Sequence, residues 1–154
     1  MAFTVSSLPL EPFQPLFDLD DAALAARGAM RVVADTAFAF PCRVSLDDAE
    51  PGERLILLNY EHQPAASPFR ASHAIYVREI ATPATTTDAL PPALHRRLLS
   101  LRGFDDQGLL RDADVVEGAE ARGVIERLLA DPDIAYLHAH YAKPGCYAAR
   151  IDRS

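Results

Sequence analysis

The sequence predicts an α+β fold, a largely antiparallel or mixed β-sheet with two main helices, in a single compact domain. Two observations carry that expectation. Short runs of continuous or alternating apolar residues recur along the chain, separated by Gly-, Pro- and Asp-rich turns. Strand-like runs outnumber helical ones and are joined by hairpin-like connections, which favours an antiparallel sheet with helices on one side. With 154 residues, 49% apolar and 24% charged, the chain can build one substantial core and has ordinary globular composition. No internal repeat or linker divides it, so residues 1–154 read as one domain.

Residues 1–17 are punctuated by Pro9, Pro12 and Pro15 and are expected to run extended, packed on the domain. Asp18 or Asp20 then caps a short helix through Ala26, with Gly28 just past its end. Residues 30–34 read as a strand, 41–46 as a short segment and 47–52 as a turn-rich loop. The apolar run 55–60 predicts a central strand covered on both faces, followed by a loop over 61–67. Residues 72–80 alternate as a strand. The stretch 81–92 is rich in Thr and Pro and predicts the longest surface loop, with a helical turn starting at Pro91 or Pro92. Residues 98–104 and 109–116 form a predicted hairpin. Ala121, Val124, Ile125, Leu128 and Leu129 then place one apolar stripe on a helix that Asp131-Pro132 stops. Residues 134–151 alternate, turn at Lys143-Pro144-Gly145 and run out again as the last hairpin.

The balance of 15 basic and 22 acidic residues gives a net charge of −7. No basic run exceeds Arg96-Arg97, which argues against nucleic acid and against an anionic membrane surface as partners. No stretch approaches a transmembrane span, and the N-terminus lacks a basic signal-like region, so a cytoplasmic protein is expected. Cys42 and Cys146 are too few for a disulfide framework and are expected as free thiols. Gly-rich phosphate loops, nucleotide fingerprints, His-Glu-x-x-His helices and EF-hand loops are all absent from the sequence, so no cofactor is implied by motif.

The last hairpin carries the densest chemistry. His138 and His140 are two apart on a predicted strand, so both rings leave one face, with Cα atoms about 7 Å apart. That spacing lets two imidazoles reach one zinc or other transition-metal ion; a third ligand is needed, and Cys146 is the nearest. An unbulged two-residue loop would put Cys146 on the opposite face, whereas one bulge would reverse its parity. The alternative is a pair of hydrogen-bonded histidines on a half-exposed strand. His138, His140 and Cys42 are also the candidates for thiol- or imidazole-based catalysis, against the alternative of a cysteine buried as a small hydrophobe. Arg78, Arg150 and Tyr76 are candidates for a groove binding a carboxylate or phosphate. The alternative pairs Arg78 or Arg150 with Asp112 or Asp114. His62, His73 and His95 are scattered along the chain and are expected as surface or satisfied polar residues.

Several phrases together resemble one bacterial family. They are Pro41-Cys42-Arg43, Ala49-Glu50-Pro51-Gly52-Glu53, Ser67-Pro68-Phe69-Arg70-Ala71-Ser72, Tyr76-Val77-Arg78-Glu79, Asp112-Ala113-Asp114-Val115-Val116, and Tyr136-Leu137-His138-Ala139-His140 with Ala142-Lys143-Pro144-Gly145-Cys146. The family is known only as domain of unknown function 1203. The resemblance implies a single compact domain and supplies no activity or catalytic residue. Three functional expectations remain. The first is a small-molecule or partner-binding module, with its groove near Arg78, His138 and Arg150. The second is an enzyme with a metal-dependent or His/Cys-based site on the last hairpin. The third is a homodimer formed through a sheet edge or exposed face.

Overall fold

A computed structural model of the chain describes residues 2–154. Nine strands are present among them: β1 Phe3–Ser6, β2 Met30–Val33, β3 Arg54–Gln63, β4 Ala71–Arg78, β5 Thr85–Thr87, β6 Leu98–Phe104, β7 Leu110–Glu117, β8 Tyr136–Tyr141 and β9 Tyr147–Arg153. They form not one sheet but two, a six-stranded sheet in the order β5-β1-β9-β8-β6-β7 and a three-stranded sheet in the order β2-β3-β4. Every pairing between strands is antiparallel. The helices are α1 Asp21–Ala26, α2 Pro92–His95 and α3 Ala121–Leu129. The α+β class read from the sequence holds, and the two main helices are α1 and α3.

The alternation of the strands decides where the chemistry goes. On one face of the larger sheet Val5, Leu99, Leu101, Leu137, Ala139 and Ile151 pack against Ile125, Leu128 and Leu129 of α3. Each fully buried Val, Leu or Ile among them contributes about 1.5–3 kcal/mol. The period of two then forces Ser100, Arg102, His138 and His140 onto the other face, where Ser100 lies opposite His140 and Arg102 opposite His138. A second core joins Ile56, Ile75 and Val77 of the smaller sheet to Leu24 of α1 and to Tyr147 of β9. Tyr147 thereby links the two sheets. Asp20 caps α1 by accepting from the Ala23 N–H at 2.8 Å, a contact worth about 1 kcal/mol.

Three local expectations are corrected. β3 does not end at Tyr60 but runs to Gln63, past a bulge between Glu61 and Gln63, so part of the expected 61–67 loop is strand. His62 and Gln63 break the apolar pattern and still are buried. The N-terminal segment, expected to run extended, supplies β1, which pairs with both β9 and β5, but then winds into a short 3-10 helix over Gln14–Asp18, with Pro15 in its first turn. The expected 81–92 loop therefore contains a short strand, β5, recruited by main-chain pairing rather than by side-chain pattern. No described helix is long and apolar enough to cross a membrane, and Cys42 and Cys146 are free thiols.

Candidate metal centre

Four of the five histidines meet on the polar face of β8. His138 and His140 come from β8, His62 from the end of β3, and His73 from β4, whose register sets it opposite Tyr60. His62, His138 and His140 are buried, and each offers one ring nitrogen such that the three lie within 4.8 Å of one another. His62 Nε2 and His73 Nδ1 share a hydrogen bond at 2.6 Å, and their rings stack at 4.8 Å between centroids. The Nδ1–H of His140 donates to the carbonyl oxygen of Gly145 at 3.0 Å, which leaves its Nε2 as the lone-pair nitrogen of the neutral ring. Two buried nitrogens, Nδ1 of His62 and Nδ1 of His138, have no hydrogen-bond partner among the described residues.

Aromatic rings hold the cluster. Tyr147 stacks on His62 with centroids 4.9 Å apart and planes within 8°, while Phe104 and Tyr136 lie 5.3 and 5.2 Å from His138. The Tyr136 hydroxyl accepts from Gln63 Nε2 at 2.9 Å, tying β8 to the end of β3 beside His62.

Burial keeps these imidazoles neutral. It pushes His138 down to about 3, helped by His62, Arg150 and Arg102. It pushes His140 down to about 3 against the contrary pull of the Gly145 hydrogen bond. His62 falls to about 4 through burial first, then His73 and Arg102. His73 is lowered for the same main reason. Protons therefore do not compete for the ring nitrogens at neutral pH, the state in which imidazole ligates metal. Among the charges acting on the three buried rings, Arg102 is common to all and is positive.

The residues singled out from the sequence fall in different places. His138 and His140 share a face, as expected. Cys146 does not join them: it packs toward the α3 side of the larger sheet and its Sγ accepts from Arg43 Nη2 at 3.0 Å. The hairpin does contain a bulge, but it lies beyond Cys146, so Tyr147 rather than Cys146 comes opposite His140. Cys42 is fully buried, and its Sγ sits 3.4 Å from the backbone nitrogens of Val44, Ser45 and Arg78, which leaves it no access to a substrate.

The two arginines lie in different sheets. Arg78 ends β4 in the smaller sheet and donates to Glu53 Oε1 and to Ser45 Oγ. Arg150 lies in the larger sheet, pairs with Asp152 at 2.9 Å and stacks its guanidinium 4.2 Å from the Tyr136 ring. Asp112 and Asp114 instead take Arg127, because α3 packs beside β7 and brings that side chain within reach. Tyr76 packs edge-on to Phe40, 5.3 Å between centroids, and lines a cleft of about 750 Å³ that also touches His73.

Sequence reasoning missed His62 and His73. The one available signal was the pair of polar residues, His62 and Gln63, directly continuing a strand-forming run. His95 stays exposed at the end of α2, away from the others.

A family model described as "Protein of unknown function (DUF1203)" matches residues 39–153, which include all four clustered histidines. No curated protein and no solved structure matches the chain.

Proposed function

We propose that this chain, which belongs to the DUF1203 family, is a metalloprotein whose His62, His138 and His140 hold one divalent transition-metal ion of the zinc class. The observation that carries the reading is the meeting of three buried, neutral imidazoles, two of them with a nitrogen that has no other partner. Buried polar atoms are hydrogen-bonded almost without exception. A single ion held among the three rings would satisfy both orphans of this cluster together.

The donor set fits zinc. Three neutral nitrogens and no thiolate or carboxylate leave a fourth position open, the arrangement of a catalytic rather than a structural zinc site. When bound, the ion supplies Lewis acidity and a water of lowered pKa at that position. The chain's own residues do the rest. The Gly145 carbonyl fixes the His140 tautomer and ring direction. Tyr147 and Phe104 wall the rings from water, and His73, hydrogen-bonded to His62 and lining the cleft, offers a nitrogen route between cluster and solvent. Arg102, whose guanidinium has Ser100 Oγ as its one side-chain partner among the described residues, favours an anion or oxyanion near the ion. We therefore read the protein as a metal-dependent enzyme of hydrolytic type.

Elemental analysis of protein purified without a His-tag tests the metal. One equivalent of zinc or another transition metal, lost in His138→Ala and His140→Ala, is the expected result. Protein that stays metal-free after supplementation would end this reading.

A further inference from the structure

Strand pairing sets one row of side chains across the histidine face. His138 of β8 has Arg150 of β9 on one side and Arg102 of β6 on the other, and beyond Arg102 comes Ala113 of β7. The two arginines that flank the ring differ in one respect. Arg150 donates to Asp152 through Nε and Nη2. Arg102 has no acidic partner among the described residues. Its Nε donates to Ser100 Oγ at 3.2 Å, and among the described residues neither Nη is hydrogen-bonded.

The period of two explains the missing acid. Asp112 and Asp114 of β7 stand opposite Gly103 and Leu101, so they project from the other face, where Arg127 of α3 takes them. On the Arg102 face β7 presents Ala113 and Val115, and the acid that shares that face, Glu117, lies opposite Leu98 at the start of β6. Burial lowers the Arg102 pKa with no acid to offset it, yet the side chain is still partly exposed. A guanidinium stays charged in such a setting. Its two terminal nitrogens form the edge that grips a carboxylate or a phosphate through paired hydrogen bonds. The bond to Ser100, which stands opposite His140, lays the guanidinium along β6 beside both β8 histidines. Its charge acts on His62, His73, His138 and His140 alike.

We propose that Arg102 is the specificity-determining residue of the three-histidine centre, and that the substrate is an anion whose carboxylate or phosphate group Arg102 holds beside the metal ion. The assignment rests on the metal centre proposed above, because the ion supplies the second point of attachment. An oxyanion between ion and guanidinium offsets both positive charges. The four neutral imidazoles and the Ser100 hydroxyl carry no negative charge with which to do so. The accessible edge of Arg102 leaves room for the anion to arrive, which the buried histidines alone do not provide.

Calorimetric titration of the zinc-loaded protein, in a buffer free of coordinating anions, tests this with acetate, inorganic phosphate and neutral acetamide as probes. Wild type is compared with Arg102→Gln, Arg102→Lys and Arg27→Gln, Arg27 being an exposed arginine outside the site. Zinc stoichiometry, measured first on each protein, separates the metal centre from its anion site. We expect one equivalent of zinc in every protein. Wild type and Arg27→Gln should bind acetate or phosphate equally well and ignore acetamide. Arg102→Gln should weaken oxyanion binding about tenfold or more. Arg102→Lys keeps the charge but loses the paired hydrogen bonds, and should weaken it several-fold. The tighter of the two oxyanions marks the substrate as a carboxylate or a phosphate. Equal oxyanion binding in wild type and Arg102→Gln, no oxyanion binding by zinc-loaded wild type, or loss of zinc in both Arg102 variants would overturn the assignment while the metal centre stands. Wild type that takes up no zinc would end both.

Discussion

His140 Nδ1 lies 3.0 Å from the carbonyl oxygen of Gly145, and through that contact the turn of the last hairpin fixes the imidazole cluster. Gly145 can present its carbonyl there because it sits at φ 82°, in the left-handed region. A Cβ would meet no atom within 4 Å, so the only obstacle to a side chain is the backbone conformation itself. Gly145→Ala is therefore expected to cost about 1–2 kcal/mol in stability. It should also weaken metal binding by roughly 10–100-fold, as loss of an orienting partner does. Urea denaturation and zinc titration of the same variant check the two effects separately.

Acid should destabilise the metal-free protein over a defined window. His138 and His140 titrate near 3 and His62 near 4 when folded, against about 6.5 in the unfolded chain. Between those values the unfolded chain binds more protons, so stability falls as pH falls. Each histidine contributes a slope of roughly 1.4 kcal/mol per pH unit once well below 6.5. In EDTA the urea midpoint should be flat above about pH 7.5 and drop steeply from pH 6.5 to 5. An unchanged midpoint across that range would contradict the burial of neutral imidazoles.

The floor of the neighbouring cleft depends on Asp48. Its carboxylate, 3% exposed, accepts from Arg97 at 2.6 Å and from Arg96 at 2.9 Å. Asp48→Ala strands the half-buried Arg97 charge and should cost about 3 kcal/mol. Chemical denaturation, with an unchanged m-value, is the check.

The parts of this architecture that depend on local pattern were legible in the sequence. The i, i+3, i+4 stripe of α3, the hairpins of β6–β7 and β8–β9, and the shared face of His138 and His140 all follow from periods of 3.6 and 2. What was not legible depends on contacts far apart in the chain. His62 joins His138 across the space between two sheets, and the division of nine strands into two sheets leaves no mark on any single strand. Cys146 shows the limit of parity arguments: a bulge was weighed, but it falls at Ala148, beyond Cys146, so Tyr147 comes opposite His140 and the thiol stays with Arg43. Arg78 and Arg150 likewise take their partners from their own sheet regions, Glu53 and Asp152, which the sequence pattern does not single out.

The most direct measurement is a zinc titration of metal-free wild type, His62→Ala and His95→Ala. His62 is the proposed ligand that only the folded arrangement brings to the site, and His95 is the exposed histidine outside it. We expect wild type and His95→Ala to bind one equivalent with equal affinity, and His62→Ala to bind at least about a hundredfold more weakly. Undiminished binding in His62→Ala, or none in wild type, would contradict a three-histidine centre.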